Sequence, residues 1–437
     1  MNIDIREVVT SGLCVGCGAC TFQSAEENIM EMSSSGIYQP KDTSFHRLES
    51  SVCPFANKID HKGHEYLGEY TSLLAGYASD FRSSSSSGGV ASWVLERLMK
   101  DGLVDKIICV GADEQGRAAY RIIDDIKKIR NNSKTKYYPL TMESIIKYVL
   151  KSKGERFAIT AIPCFVNAIH LLKKENEIFR HSVKYLVGIF CGGMKSKYFT
   201  EYLSEKSGVH KENIKSPEYR VKGKLGDSAS NYSFQVKNAK TNETHTMPMS
   251  VVGDMWGTGM FKPLACDFCE DLCSENADIS FGDAWIPPYN NDYQGNNVVI
   301  VRNSELDARL KLGIEDGELF LDRISEKQMC DSQAGNITHR RKGLAHRLSL
   351  DSKDYNHLNT EPKRDINPII SLVQHQRSIV REKSQRLWVV ENNVRDFEYK
   401  MLPYKRKLMI YTRINHFTRV SFWKRVAYKI FGKTNGR

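Results

Sequence analysis

The sequence predicts an α/β protein of mixed α+β character, and three observations carry that reading. Short apolar runs alternate with amphipathic helical stretches through the middle of the chain, from "DKIICVGA" to "NVVIVRNSELDARLKLGIEDGELFLDRI". From about residue 217 to 260 the pattern changes to polar, alternating strands such as "NYSFQVKN". Cysteines crowd near the start and basic residues near the end, so neither terminus resembles the middle. The expected organisation is a cysteine-bearing module over 1–60, an α/β body over 61–340, and a linker with a basic helical tail over 341–437. A chain of 437 residues is long enough for that division.

Along the chain, "SSSSSGGVASWVLERLMKDG" reads as loop, helix and stop, with Val90, Trp93, Val94 and Leu98 at helical spacing and a glycine after them. "DKIICVGA" reads as a buried strand. "MESIIKYVLKSKGERFAITAIPC" reads as helix, strand and a Pro-Cys turn. "CFVNAIHLLKKEN" is a helix, and "VKYLVGIFCGG" is a strand ending on Cys191. Strand, helix and strand close the body. "HRRKGLAHRLSLDSKDYNHLNTEPKRDINP" is polar and weakly periodic, which predicts a hinge to the tail.

A hydrophobic content of 41% and no apolar run of eighteen residues argue for a soluble chain without a membrane span. "MNIDIREVVTSG" carries acids and no apolar core, so a secretory signal is not expected and a cytoplasmic location is. In a reducing compartment, closely spaced cysteines read as metal ligands rather than disulfides. The net charge of +11 is local. From Arg377 to Arg437, sixteen Lys/Arg face four Asp/Glu, a balance of +12 that leaves the remainder near −1. The body is therefore not expected to bind nucleic acid.

Cys14, Cys17 and Cys20 stand in C-x2-C-x2-C spacing, which lets three thiolates converge on one face of an iron–sulfur cluster. Gly16 and Gly18 permit the turns between them. A ferredoxin loop would carry its fourth cysteine at the position of Ser24. "SSVCPF" instead places Cys53 before Pro54, so Cys53 is the expected fourth ligand of a 4Fe–4S cluster in a ferredoxin-like module. A zinc knuckle or unliganded thiols are the alternatives. Cys266 and Cys269 form a second close pair. Cys164 and Cys191 follow apolar strands, whose C-terminal ends share an edge where ligands gather. These four are the expected second site, with Cys273 competing for the fourth place. The bland alternative is that Cys164 and Cys191 are small buried hydrophobes.

The succession CVGCGAC, CPF, SSSGGV, SKTKYYP, AIPCFVNAIHLL, GIFCGG and CDFCED…ADISFGD resembles the family of coenzyme F420 hydrogenase/dehydrogenase beta subunits, which includes the reductase of 7-hydroxymethyl chlorophyll. The resemblance runs from about residue 10 to about 335. It implies an iron–sulfur flavoprotein oxidoreductase that carries FAD. Electrons would pass from a ferredoxin-like or other redox partner, through the clusters and the flavin, to an organic acceptor. That acceptor would be coenzyme F420 or, by the company some members keep, a free or lipid-linked intermediate of a surface-polysaccharide pathway. The resemblance also places Lys136 and Tyr137 where members contact flavin or substrate, so these are the candidate catalytic residues. Ser87, Gly88 and Gly89 open a helix whose N–H groups and dipole suit a pyrophosphate, although five serines also make a flexible linker. Asp283 follows a strand and orients a ligand, or merely caps a turn. The chain departs from the family's pattern at Phe165, Gly192 and the stretched "NSKTKYY", which bears on the acceptor. Two other readings stay open: a non-catalytic electron-transfer or scaffold subunit, and a zinc-bearing interaction protein.

Beyond Pro403 stand ten Lys/Arg and no acid. "SFWKRVAYKIFGK" would begin at Ser421 and place Trp423, Val426, Ala427, Ile430 and Phe431 on one helical face. That pattern fits peripheral attachment to an anionic membrane surface on its inner face, or docking on the body or an acidic partner.

Overall fold

The computed structural model describes residues 4–419, apart from 114–115, 352–354, 356, 364–366 and 392. Helix α1 (Ile5–Thr10) and the hairpin β1 (Met30–Met32) and β2 (Tyr38–Pro40) belong to the cysteine-bearing start. The body runs β3 (Ser72–Ala78), α2 (Ser79–Arg82), α3 (Val90–Lys100), β4 (Lys106–Ala112), β5 (Ala118–Ile123) and α4 (Glu143–Lys151). It continues with β6 (Phe157–Ala161), α5 (Pro163–Glu175), α6 (Glu177–Ser182), β7 (Val183–Ile189) and α7 (Lys197–Lys206). Then come β8 (Ile214–Val221), β9 (Ser233–Asn238), β10 (Thr244–Pro248), β11 (Ile279–Asp283), β12 (Asn297–Val301), α8 (Ser304–Glu315) and β13 (Leu319–Arg323). Five helices finish the description: α9 (Glu326–Ser332), α10 (Ala334–Arg340), α11 (Lys342–Leu350), α12 (Pro368–Glu391) and α13 (Val394–Arg419).

Eight strands form one mixed sheet in the order β13-β3-β12-β11-β7-β6-β4-β5. Its centre is parallel, β11 beside β7, β7 beside β6 and β6 beside β4, and its flanks are antiparallel. The central strands are nearly continuous apolar runs because both of their faces are covered. Trp93 and Leu98 of α3, with Leu306 and Leu310 of α8, pack on one face. Ile145 and Val149 of α4, Ile169 and Leu172 of α5, and the cysteine-bearing start cover the other. The polar, alternating stretch forms the separate antiparallel sheet β10-β9-β8. The fold class is therefore the mixed α/β one expected.

Two local expectations need correction, and Gly88 proves to have a packing role as well. Pro163 and Cys164 do not make a turn; Pro163 is the first residue of α5, where its fixed φ suits a helix and its missing N–H costs nothing. Gly88 is required by packing: a Cβ there would lie 2.6 Å from Gly76 O and 2.8 Å from Asn297 N. The segment after 340 is not a hinge. Leu344 and Leu348 of α11, with Leu358, enter the same core as the cysteine-bearing start. The antiparallel pair α12 and α13 packs Val373, Trp388, Phe397 and Met401 against α7 and the small sheet, and α13 continues through Pro403. The expected helix from Ser421 lies outside the described residues. No described helix is long and apolar enough to cross a membrane.

A buried ionic clasp ties this segment down. Glu270 accepts from Asn359 N at 2.9 Å and from Thr360 Oγ1 at 2.8 Å. His61 bridges Glu270 at 3.2 Å and Glu275 at 2.7 Å. Burial opposes a charged His61, but hydrogen bonds to Glu270 and Glu275 outweigh it and raise its pKa from 6.5 to about 10. A raised folded pKa adds stability below the unfolded value and loses it as pH climbs through the folded one. Denaturant titrations of His61→Gln are expected to show a deficit that is full below pH 6.5 and gone by about pH 10. A deficit independent of pH would assign His61 a packing role instead.

Candidate functional site

The first cysteine group is assembled from two loops. Gly16 and Gly18 have φ of +76° and +79°, and a Cβ on either would strike Tyr38 O or Thr141 Oγ1 at 2.6 and 2.4 Å. These left-handed turns bring Cys14, Cys17 and Cys20 together. The Cys53 loop is joined to them where Glu49 N donates to Cys20 O at 2.9 Å. Burial raises the Cys14 pKa to about 12, and the neighbouring Cys53 thiol adds to that. Cys20 is raised by burial and then by Cys17, Cys14 and Cys53 together. Ionising four such thiols together would require a positive core among them, as an iron–sulfur cluster would provide. Ser24 stands apart, its Oγ accepting from Glu26 N at 3.2 Å.

The second group forms because β6 and β7 are adjacent and parallel, so the residues after them share an edge. Cys164 sits in the first turn of α5, and Cys191 lies two residues beyond β7. Cys266 and Cys269 reach the same place from the turn Leu264–Phe268, and Met194 N donates to Cys266 Sγ at 3.3 Å. Burial raises the Cys164 thiol most, followed by Cys269, Cys191, Cys266 and then Cys17 of the first group. The two groups are thus neighbours. Cys273 is placed elsewhere, packed among Leu67, Leu73, Val298 and Met329.

Among the described residues, no three His, Cys, Asp or Glu side chains gather as a single metal ion would require. A 4Fe–4S cluster is several ångströms across and holds its thiolates farther apart. The surroundings of the second group fit such an anion. Lys195, Lys262, Arg340 and Arg347 are all buried near it, with Asp267, Glu270 and Asp271 as the buried acids, Glu270 being engaged by His61. Lys262 and Arg381 both pair with Asp267, at 2.6 and 2.8 Å. A surplus of buried cations is costly unless an anion balances it.

A cavity of about 710 Å³ opens beside this group, within the range of cofactor sites. Cys191 and Gly192 line one end, with Cys109, Tyr120 and Phe165 along the wall. Tyr120 and Phe165 stack with centroids 6.5 Å apart, and the Tyr120 phenol is raised by burial and then by Cys164 and Cys17. Gly192 leaves room for Trp256, whose Cδ1 would lie 2.8 Å from a Cβ there. Ser87, Gly89, Lys136, Tyr137 and Asp283 all line the cavity. Tyr137 packs edge-on to Trp256 at 4.7 Å and to Tyr219 at 5.5 Å. Burial raises its pKa, so the phenol is protonated. Asp283 accepts from Arg220 Nη1 at 2.6 Å, which makes it the residue that orients this guanidinium.

The serine-rich end differs in detail from expectation. Val90 N, the first N–H of α3, donates to Asn297 Oδ1 at 3.1 Å and is not free for a ligand. Cations gather there instead. Lys222 donates to Ser87 O at 3.0 Å and to Arg82 O. Burial pushes its pKa down to about 7, with Arg82, Lys134 and Arg220 adding to the effect. Lys136 is also lowered, by burial first. Such like-charge crowding is relieved by an anionic ligand. Arg220 and Lys222 were legible only as alternate residues of a polar strand, and Arg340 carried no signal beyond a basic run.

The chain matches the family described as coenzyme F420 hydrogenase/dehydrogenase, beta subunit, its N-term over residues 73–147 and its C terminus over 154–327. It is 24% identical over 333 residues to a coenzyme F420-dependent sulfite reductase of Methanocaldococcus jannaschii, covering 71% of this chain and only 47% of that protein. It is 23% identical over 377 residues to a subunit of the F(420)H(2) dehydrogenase of Methanosarcina mazei, covering 80% of this chain and 96% of that one. A chain of the F420-reducing [NiFe] hydrogenase complex from Methanosarcina barkeri shares the fold, with a TM-score of 0.50 and 17% identity over 70% of this chain and 99% of that chain.

Proposed function

The chain belongs to the family of coenzyme F420 hydrogenase/dehydrogenase beta subunits, and on that premise we propose that it is an oxidoreductase subunit relaying electrons through two 4Fe–4S clusters to a flavin-class cofactor in the 710 Å³ cavity. The observation that carries this reading is the position of Cys191, which belongs to the second cysteine group and also lines the cavity. Cys14, Cys17, Cys20 and Cys53 would hold the first cluster, and Cys164, Cys191, Cys266 and Cys269 the second. The cofactor, FAD or the deazaflavin coenzyme F420, supplies two-electron or hydride chemistry when bound.

The chain's own residues bind and orient. Lys136 and Arg220 offer charge to the cofactor's phosphates, while Tyr120, Phe165 and Trp256 give apolar surface for a planar ring. Cys14 is only half-buried, which gives the first group an edge toward solvent and a redox partner. A partner subunit is supported by relatives that are subunits or chains of larger assemblies.

The test is anaerobic purification, iron analysis, and titration with FAD and with coenzyme F420. Two clusters' worth of iron and saturable binding of one of the two are expected. Lys136→Gln should weaken that binding roughly ten- to hundredfold, as loss of a charge-assisted contact does. Absence of iron, or unchanged binding in that variant, would count against the reading and favour a scaffold subunit.

A further inference from the structure

We propose that Arg340 sets the reduction potential of the cluster held by Cys164, Cys191, Cys266 and Cys269, and so makes that site the acceptor for electrons from the first. The inference rests on the iron–sulfur reading and deepens it. Arg340 ends α10 and lies beyond residue 327, where the family match stops. Its side chain is 2% exposed. Nη1 donates to Cys269 O at 3.1 Å and Nη2 to Cys191 O at 2.5 Å. One guanidinium therefore clamps two of the four cysteines, which come from separate segments of the chain. Its Nε is shielded from solvent and has no hydrogen-bond partner among the described residues. An N–H left in that state is costly. Bound cluster sulfur is the acceptor class that would satisfy it.

Lys262 also acts on Cys266, but Arg340 is the cation that acts on Cys191, Cys266 and Cys269 alike. Lys262 is neutralised by Asp267 at 2.6 Å. Lys195 spends donors on Met255 O and Met260 O, both at 2.7 Å. Asp271 opposes Arg340, but it also faces His61 and Arg302. Around the first group, the charges acting on Cys14 and Cys20 are those of the other thiols, and Cys14 Sγ accepts from the backbone of Gly16 at 3.4 Å.

With clusters bound, one electron leaving the first would be taken up by the second, and a low-potential one-electron reductant would refill the first. The gained electron adds negative charge in a water-poor interior, where a fixed cation stabilises the reduced form and raises its potential.

The experiment is an anaerobic redox titration of the full chain, followed by electron paramagnetic resonance, on wild type, Arg340→Gln and Arg340→Lys. In Arg340→Gln one of the two cluster signals should show about a tenfold lower reduced-to-oxidised ratio at fixed potential, which is about 59 mV for a one-electron couple. The other signal should not move. Arg340→Lys keeps the charge and should stay close to wild type. Unmoved midpoints in Arg340→Gln, or Arg340→Lys falling as far as Arg340→Gln, would overturn the proposal. If Arg340→Gln assembles only one cluster, Arg340→Lys decides: a wild-type midpoint supports the charge effect, and a lowered one refutes it. A wild-type chain without two cluster signals would instead fault the iron–sulfur reading.

Discussion

Cys53→Ala is expected to lower bound iron by one cluster, about four atoms per chain, while the second cluster persists. Three cysteines in C-x2-C-x2-C fill three corners of a cluster, and the fourth thiolate must come from elsewhere. Ser24 stands where a ferredoxin loop would supply it, but its hydroxyl is turned to Glu26 N at 3.2 Å. Cys53 is the thiol that acts on Cys14 and is among those acting on Cys17 and Cys20. Its loop is tied down by Asn57 Nδ2, which donates to Ser50 O at 2.6 Å and to Cys53 O at 3.0 Å. The variant should therefore fold around the missing ligand rather than unravel. Iron analysis before and after anaerobic reconstitution measures the effect, with Ser24→Ala as the control expected to keep its iron. Full iron in Cys53→Ala, or loss in Ser24→Ala, would mean the fourth ligand has been misassigned.

Much of this geometry was legible because local patterns determined it. The strands around Ile107, Ile159 and Val187 are apolar on both faces, which marks the parallel centre of a sheet. Reading Cys164 and Cys191 as residues at the ends of neighbouring strands followed from that. The polar alternation around Phe234 and Val236 likewise marked the second sheet. The part that was not legible is the segment after residue 340. Its buried residues include Arg347, Gln374 and Gln376, which are polar. Periodicity of apolar residues cannot register a surface buried through ion pairs and hydrogen bonds. Arg347 Nη1 donates to Gln374 Oε1 at 2.7 Å, and Nε donates to Asp267 O at 2.8 Å. Both of these partners lie more than twenty residues away in the chain. Gly88 also has a role that no periodicity carries: its missing side chain makes room for the backbone of β3 and β12.

Cys191→Ala and Cys273→Ala should separate cleanly, and the pair tests the second site more sharply than either alone. Cys191 lies on the cavity wall and shares its neighbourhood with Cys164, Cys266 and Cys269. Removing it opens the coordination shell, so about four iron atoms per chain should be lost. Electron delivery to a cavity-bound flavin should be lost with them, because the first cluster would have no relay toward the cavity. Cys273 is fully buried but sits in a different core, beside Leu67, Leu73 and Val298. The charged groups acting on it include Asp271, Arg302 and Glu275, and none of the four proposed ligands is among its largest influences. Its alanine variant removes only a small packed group, at a cost of about 1 kcal/mol in stability, and should keep all its iron. The sequence alone left Cys273 as a competitor for the fourth place, since it follows Cys266 and Cys269 at short spacing. What separates them is their surroundings: Cys164 is acted on by Cys269, Cys191 and Cys266, whereas none of these four is among the groups acting on Cys273. Iron retained in Cys191→Ala and lost in Cys273→Ala would reverse the ligand set, and would also detach the second cluster from the cavity through which this chain is proposed to act.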